Sequence, residues 1–135
     1  MADAFLALET GDVIQARSRS PGLAHGELVF TTSYAGYEES LTDPSYEEQI
    51  LTFAYPLIGN YGVNPNRFES TRIHPRAIIA RQLTDPISQW LSKESIPSID
   101  TLDTRELVMA IRDHGAMKCG ISSGNGATPE LALKE

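Results

Sequence analysis

The side chains that could carry out catalysis are few in this chain of 135 residues. Cys119 is the single cysteine and therefore the only possible thiol nucleophile. A catalytic thiol needs a nearby base and an electropositive setting, and the sequence does not place His25, His74 or His114 against it. Because free cysteines are usually small core residues, we predict that Cys119 packs in the core and that the chain has no catalytic residue. A thiol hydrolase using Cys119 is the weaker alternative.

The sequence contains no recognisable metal or phosphate motif. No two histidines are three or four residues apart and no Cys–His cluster occurs, so no metal site is predicted. The segment Gly59-Asn60-Tyr61-Gly62 lacks the spaced second glycine followed by Lys and Ser or Thr that a phosphate-binding loop requires. We interpret it as a tight turn, and we expect no ATP or other cofactor to bind this chain.

Asp43-Pro44-Ser45-Tyr46 allows two interpretations. The simpler one is a turn that ends a short helical stub, because proline biases Asp43 away from the helical region. The other is a short loop that presents the Ser45 hydroxyl outward. A hydroxyl can both donate and accept a hydrogen bond, so Ser45 could orient an amino-acid ligand held by a neighbouring domain.

The net charge of −7 argues against a nucleic-acid partner, since an acidic surface repels phosphate backbones. No apolar run is long enough to cross a bilayer, and the first five residues do not resemble a signal peptide. A single cysteine, which cannot pair within the chain, fits a reducing compartment. We therefore expect a cytoplasmic protein without a membrane partner.

The elements that must position these residues are mostly strands. Residues 5–8 and 13–16 predict a hairpin whose turn contains Gly11, and β-branched and aromatic residues predict a strand at 27–32. Residues 49–55 and 117–121 also resemble strands, and the short apolar run 77–80 is typical of a buried central strand. The Ser-, Pro- and Gly-rich stretch 18–26 predicts a loop.

One helix is predicted strongly, at about 103–115. Asp103 and Glu106 have the spacing of a capping box, and Gly115 is a favourable stop. A second, weaker helix is predicted at 87–93. Residues 123–135 are predicted to be a linker or a frayed end, so the domain proper is placed at 1–122. Together these elements predict a mixed α/β domain.

Four segments, in order along the chain, resemble the small subunit of glutamine-dependent carbamoyl phosphate synthetase. The most specific, Gly36-Tyr37-Glu38-Glu39-Ser40-Leu41-Thr42-Asp43-Pro44-Ser45-Tyr46, is similar to the family's Gly-Tyr-Gln-Glu-Ile-Leu-Thr-Asp-Pro-Ser-Tyr. The others are residues 26–33, residues 55–62, and Asp103-Thr104-Arg105 with Arg112 and Gly115-Ala116-Met117. Each alone is a weak signal, but together they span nearly the whole chain.

The resemblance implies a three-layer β/β/α domain of the swivelling type. It also implies that the small subunit forms a heterodimer with a large synthetase subunit. In this family the small subunit hydrolyses glutamine in a C-terminal class I amidotransferase domain and passes ammonia to the large subunit. There, bicarbonate and ATP, with a divalent metal, yield carbamoyl phosphate for arginine and pyrimidine biosynthesis. We expect this chain alone to be inactive, because the amidotransferase residues are not in it.

One ligand residue of the family maps onto this chain: the serine of Asp-Pro-Ser-Tyr, which contacts bound glutamine, corresponds to Ser45.

Some segments depart from the family pattern. The stretch between Leu83 and Ile96 is shorter than in bacterial members, which puts any partner contact there in doubt. Cys119-Gly120-Ile121 replaces the usual Gly-Cys-Ile, which supports packing for Cys119. Thr31 replaces an Asn, and Tyr34-Ala35 replaces Met-Thr.

Besides the weaker thiol-hydrolase alternative, the sequence leaves two functions open. The first is a subunit domain that docks on the large subunit and helps to complete the glutamine site. The alternative is a stand-alone binding or scaffold module that kept the fold without the amidotransferase. An open reading frame past Glu135 that encodes a Gly-rich loop with a nucleophilic cysteine would favour the first, and a stop codon the second.

Overall fold

The computed structural model describes residues 3–31, 40–54, 57–58, 72–101, 104–115, 117–124 and 126–134. The strands are β1 (Asp3–Leu8), β2 (Val13–Ser20), β3 (Gly22–Thr31), β4 (Gln49–Phe53), β5 (Leu57–Ile58), β6 (Ala77–Ile79), β7 (Gln82–Leu83), β8 (Ser98–Asp100) and β9 (Met117–Ser123). The α-helices are α1 (Asp85–Lys93), α2 (Thr104–His114) and α3 (Pro129–Lys134), and a 3₁₀ turn covers Pro44–Tyr46.

Seven of these strands close into a barrel in the order β1-β2-β8-β6-β4-β3-β9. The pairs β3–β4, β4–β6 and β6–β8 are parallel, and the remaining barrel pairs are antiparallel. β5 and β7 form a separate parallel pair. The prediction of a mixed domain made mostly of strands is therefore confirmed.

The closed sheet encloses one hydrophobic cluster and carries a second on its outside. The residues of the inner cluster occupy alternate positions along the strands; Ile50 of β4 and Ile79 of β6 are examples. The outer cluster uses the intervening residues, such as Leu51 and Ile78, and packs them against Ile87 and other residues of α1. Helix α1 therefore covers part of the outer face of the closed sheet. Parallel strands that are covered on both faces have continuous apolar sequences. This explains why residues 77–80 could be predicted to form a buried strand.

The first hairpin is confirmed, and the turn between its strands places Gly11 at φ +97. The loop predicted at 18–26 is wrong, because β2 runs to Ser20 and β3 begins at Gly22. This polar, glycine-containing stretch adopts an extended strand conformation because β2 pairs with β8 and β3 pairs with β9. Gly22 is at φ +144, and a Cβ there would lie 2.6 Å from Pro97. Tertiary pairing thus overrode the local loop signal.

The strong helix is confirmed as α2, which has Glu106 in its first turn and Gly115 after it at φ +85. Asp103, its predicted cap, lies outside the described residues. Leu107 and Ile111 pack into the inner cluster. The weaker helix is confirmed as α1, with Trp90 partly buried against the outer cluster.

The segment 123–135, which the sequence predicted to be a linker or a frayed end, contains a short helix. β9 extends to Ser123, and α3 follows at Pro129–Lys134. Ala132 of α3 is only 1% exposed, because the helix packs on the barrel beside β9 and β1. The domain boundary at residue 122 stays a prediction.

A buried charge cluster ties β8 to β2 and to the chain entering α1. Asp100 is fully buried, and the Arg17 guanidinium donates to its two carboxylate oxygens from Nε and Nη2, each at 2.7 Å. The Leu83 N–H also donates to Asp100 Oδ2, at 3.0 Å. Arg19 lies 3.6 Å from the same oxygen and donates to Asp85 of α1 at 2.7 Å. Hydrogen bonding to Asp100 raises the pKa of Arg17, so Arg17 remains charged.

Candidate functional site

Ser45 lies exposed in the 3₁₀ turn Pro44–Tyr46. The turn is closed at its start by the Asp43 carboxylate, whose Oδ1 accepts the Ser45 N–H at 2.9 Å. Two backbone bonds complete it: the Tyr46 N–H donates to the Asp43 carbonyl and the Glu47 N–H to the Pro44 carbonyl, each at 3.1 Å. Both interpretations of this segment therefore describe the same object, a proline-started turn that presents Ser45 to solvent.

The residues before the turn are buried in the domain. Leu41 and Thr42 are both fully buried, and Leu41 belongs to the outer cluster. Tyr46 is partly buried and packs against the same cluster. Leu41 is in helical conformation, in agreement with the short helical stub predicted before Asp43; residues 37–39 of that stub lie outside the described residues. The Ser45 turn is thus exposed to solvent, whereas the segment that leads into it is buried.

Glu47, directly after the turn, is the centre of an exposed charge cluster with Arg72 and His74. Arg72 Nη2 donates to both carboxylate oxygens of Glu47 at 2.9 Å, and His74 Nδ1 is hydrogen-bonded to Oε2. The side chain of Glu47 is 49% exposed, whereas that of His74 is only 10% exposed. Hydrogen bonds from His74, and then from Arg72, lower the pKa of Glu47. Glu47 is therefore held by two basic side chains although its own side chain is half exposed.

The segment that carries Arg72 and His74 is also bonded to the chain around the turn through its backbone. The His74 N–H donates to the Leu41 carbonyl at 2.9 Å, and the Arg76 N–H donates to the Gln49 carbonyl at 2.8 Å. Arg72, His74 and Glu47 line a groove of about 540 Å³ that continues past Pro97 and Leu23. No local sequence signal could have revealed this cluster, because Glu47 and His74 are 27 positions apart.

Cys119 is placed as a core residue, as predicted. Its side chain belongs to the inner cluster and is 6% exposed, and burial raises the pKa of the thiol to about 12. Cys119 is opposite Gly26 in the β3–β9 register. His25 precedes Gly26 on β3, and because successive side chains of a strand point to opposite faces, His25 lies on the other face of the sheet from Cys119. His25 is accordingly exposed. A thiol held protonated in the core is a poor nucleophile.

Other predicted features are only partly covered by the structure. The turn at 59–62 and the substituted pair Tyr34-Ala35 lie outside the described residues, and only Leu57–Ile58 of the 55–62 segment is described, as β5. In the described ranges no three His, Cys, Asp or Glu side chains are grouped so that they could hold a metal ion. None of the helices in the described part of the chain is long and apolar enough to span a bilayer.

A model of the family described as the carbamoyl-phosphate synthase small chain, CPSase domain, matches residues 6–121. The match begins within β1 and ends within β9, and it includes the barrel strands between them, the Ser45 turn and the charge cluster around Glu47. The chain therefore belongs to this family, and its fold is the small-chain CPSase domain.

Individual relatives support the same assignment. A protein of Halobacterium salinarum named carbamoyl phosphate synthase small chain is 64% identical over 132 residues, which cover 98% of this chain and 37% of the relative. Small chains from Methanosarcina mazei and Thioalkalivibrio sulfidiphilus are 46% and 43% identical, each over 90% of this chain and 36% and 35% of the relative. The chain thus spans little more than a third of the length of these relatives.

Proposed function

We propose that this chain is the N-terminal domain of the small subunit of a glutamine-dependent carbamoyl phosphate synthetase. In this role it docks on the large synthetase subunit and on a C-terminal amidotransferase domain, and it does no chemistry alone. The observation that carries the proposal is the family match over residues 6–121, which includes the Asp-Pro-Ser-Tyr segment. Glutamine cleavage, ATP, the divalent metal and carbamoyl phosphate formation belong to the other parts of the complex, and this chain holds no cofactor of its own.

The proposed chemical contribution is one hydrogen bond to glutamine from Ser45. An exposed serine on a turn tethered to a buried segment can reach a ligand held by a neighbouring domain while remaining fixed in place. The hydroxyl can donate to a carboxylate or accept from an ammonium group of the amino acid. The ammonia released from glutamine would then pass to the large subunit, where bicarbonate and ATP are consumed.

The test uses the complete small chain assembled with its large subunit. Ser45→Ala should raise the KM for glutamine while leaving ammonia-dependent synthesis unchanged. A hydrogen bond to a charged group contributes about 1.5–3 kcal/mol, which corresponds to roughly a tenfold to hundredfold change. Ser92→Ala, at an exposed serine on α1, is the matched control and should change neither activity. An unchanged glutamine KM in Ser45→Ala would remove Ser45 from the site.

Docking is tested separately by co-purification. The domain should be retained by the large subunit at low and at moderate salt, because the proposed role requires a persistent complex. Failure to associate at both low and moderate salt would argue against the subunit assignment and in favour of a stand-alone module of the same fold. Glutamine hydrolysis by this chain alone, lost in Cys119→Ser, would instead indicate a thiol hydrolase.

A further inference from the structure

The Ser45 turn has few internal contacts that could fix its direction. It is only three residues long, and the bonds that form it join neighbouring residues. Short 3₁₀ turns have poor hydrogen-bond geometry, so the direction of the hydroxyl depends on how the two ends are held. The upstream end is held by the buried residues Leu41 and Thr42. The downstream end begins with Glu47, which is exposed and therefore requires another kind of anchor.

Glu47 is anchored by side-chain contacts that use both of its carboxylate oxygens. Oε1 accepts from Arg72, and Oε2 accepts from Arg72 and is bonded to His74. A carboxylate engaged from two directions is confined to one rotamer, so the backbone at the end of the turn is confined with it. The lowered pKa of Glu47 agrees with this, because it indicates that the ionised form is the one held.

The segment that supplies these contacts is itself fixed to the core. Ile73 is 2% exposed, and its N–H donates to Glu94 Oε1 at 3.1 Å. His74 bonds upstream of the turn through its backbone N–H to Leu41, and downstream through its side chain to Glu47. A single residue therefore bridges the two ends of the Ser45 turn.

We propose that Glu47, held by Arg72 and His74, is a positioning residue that sets the direction of Ser45 toward glutamine. The inference rests on the proposed role of Ser45 and adds a mechanism by which this domain prepares that contact. Glu47 does not touch the ligand in this mechanism, because its oxygens are occupied by Arg72 and His74. It lowers the cost of binding by holding the turn in its binding conformation beforehand.

The first test compares neighbouring glutamates in the complete small chain assembled with its large subunit. Glu47→Ala should raise the KM for glutamine on the order of fivefold, through loss of positioning, without changing kcat or ammonia-dependent synthesis. Glu48→Ala is the matched control, because the Glu48 side chain is 75% exposed and, among the described residues, is held only by a 3.4 Å contact with Arg76. Glu47→Gln keeps the acceptor oxygen and should restore part of the affinity. Equal effects of Glu47→Ala and Glu48→Ala would overturn the proposal.

The second test is a double-mutant cycle with Ser45. If Glu47 acts through Ser45, the variant Ser45→Ala/Glu47→Ala should have the same glutamine KM as Ser45→Ala alone. Additive effects would contradict positioning and indicate an independent role for Glu47. A normal KM in Ser45→Ala would remove Ser45 from the glutamine site and so reject its proposed function. A raised KM in Ser45→Ala with a normal KM in Glu47→Ala would leave that function standing and reject only the positioning role.

Discussion

Two charge clusters in the described part of the domain have similar arrangements but different surroundings. In each, one carboxylate is approached by two basic side chains: Asp100 by Arg17 and Arg19, and Glu47 by Arg72 and His74. The Asp100 side chain is 0% exposed, whereas that of Glu47 is 49% exposed. A buried carboxylate cannot be rehydrated when its partners are removed, whereas an exposed one can. The comparison indicates that the first cluster maintains the fold and that the second is free to serve a site.

The largest effect is expected at the buried cluster. Asp100→Ala should leave Arg17 without its partner and the Leu83 N–H without its acceptor, at a cost of about 3–5 kcal/mol in the free energy of unfolding. Urea denaturation of the domain measures it. Asp113→Ala, at an exposed aspartate of α2, is the control and should change stability by less than about 0.5 kcal/mol. Similar midpoints for both variants would show that the Asp100 cluster does not maintain the fold.

A smaller effect is expected where the backbone approaches closely beside the exposed cluster. A Cβ on Gly26 would lie 2.5 Å from the Glu48 carbonyl oxygen, so Gly26→Ala must displace the chain that follows the Ser45 turn. Overpacking of this kind costs about 1–3 kcal/mol, measured by the same denaturation experiment. Glu27→Ala, at an exposed position on the same strand, is the comparison and should have little effect. If Gly26→Ala were as stable as the wild type, the backbone around Glu48 would be able to move without cost. That result would weaken the case that the Ser45 turn is held in one position.

The smallest effect concerns the pH dependence of the exposed cluster. The pKa of Glu47 is lowered in the folded state from its ordinary value of 4.5, so its contribution to stability is present above that value. It is lost as the pH falls through the folded pKa. The stability difference between the wild type and Glu47→Gln should therefore be small at neutral pH and vanish in acid.

High salt should reduce the same difference, since exposed charges are screened. The effect of Asp100→Ala should persist at high salt, because its ion pair is shielded from solvent. Thermal melts of the wild type and both variants at low and high salt measure these differences. A Glu47→Gln difference that grows as the pH falls would contradict the sign of the pKa shift.

Several elements were predictable because their signals are local. The hairpin turn at Gly11, the helix that ends before Gly115 and the continuous apolar strand at 77–79 each depend on a few consecutive residues. The Ser45 turn was predictable in the same way, because proline restricts Asp43 and Asp43 can bond back to the turn. The core role of Cys119 was also anticipated, although burial was needed to explain its inert thiol.

The stretch 18–26 shows why the rest could not be predicted. Its Ser, Pro and Gly content favours a loop, yet the strands on either side of Pro21 run through it because β8 and β9 offer pairing partners. The helix at 129–134 was missed for a similar reason: its short apolar segment becomes stable only when Ala132 packs on the barrel. Local propensity is weak compared with the free energy of tertiary pairing and burial.

The sequence by itself determined the family, the mixed α/β class and the residue, Ser45, that is proposed to meet glutamine. The tertiary structure alone decided that the sheet closes on itself, that Asp100 is buried with Arg17, and that His74 bridges the two ends of the Ser45 turn. These contacts join residues from 27 to 83 positions apart. Such distant contacts depend on how the whole core packs rather than on any short segment. Ser45 is thus named by its motif, whereas the contacts that are proposed to set its direction come from a part of the chain that the motif does not contain.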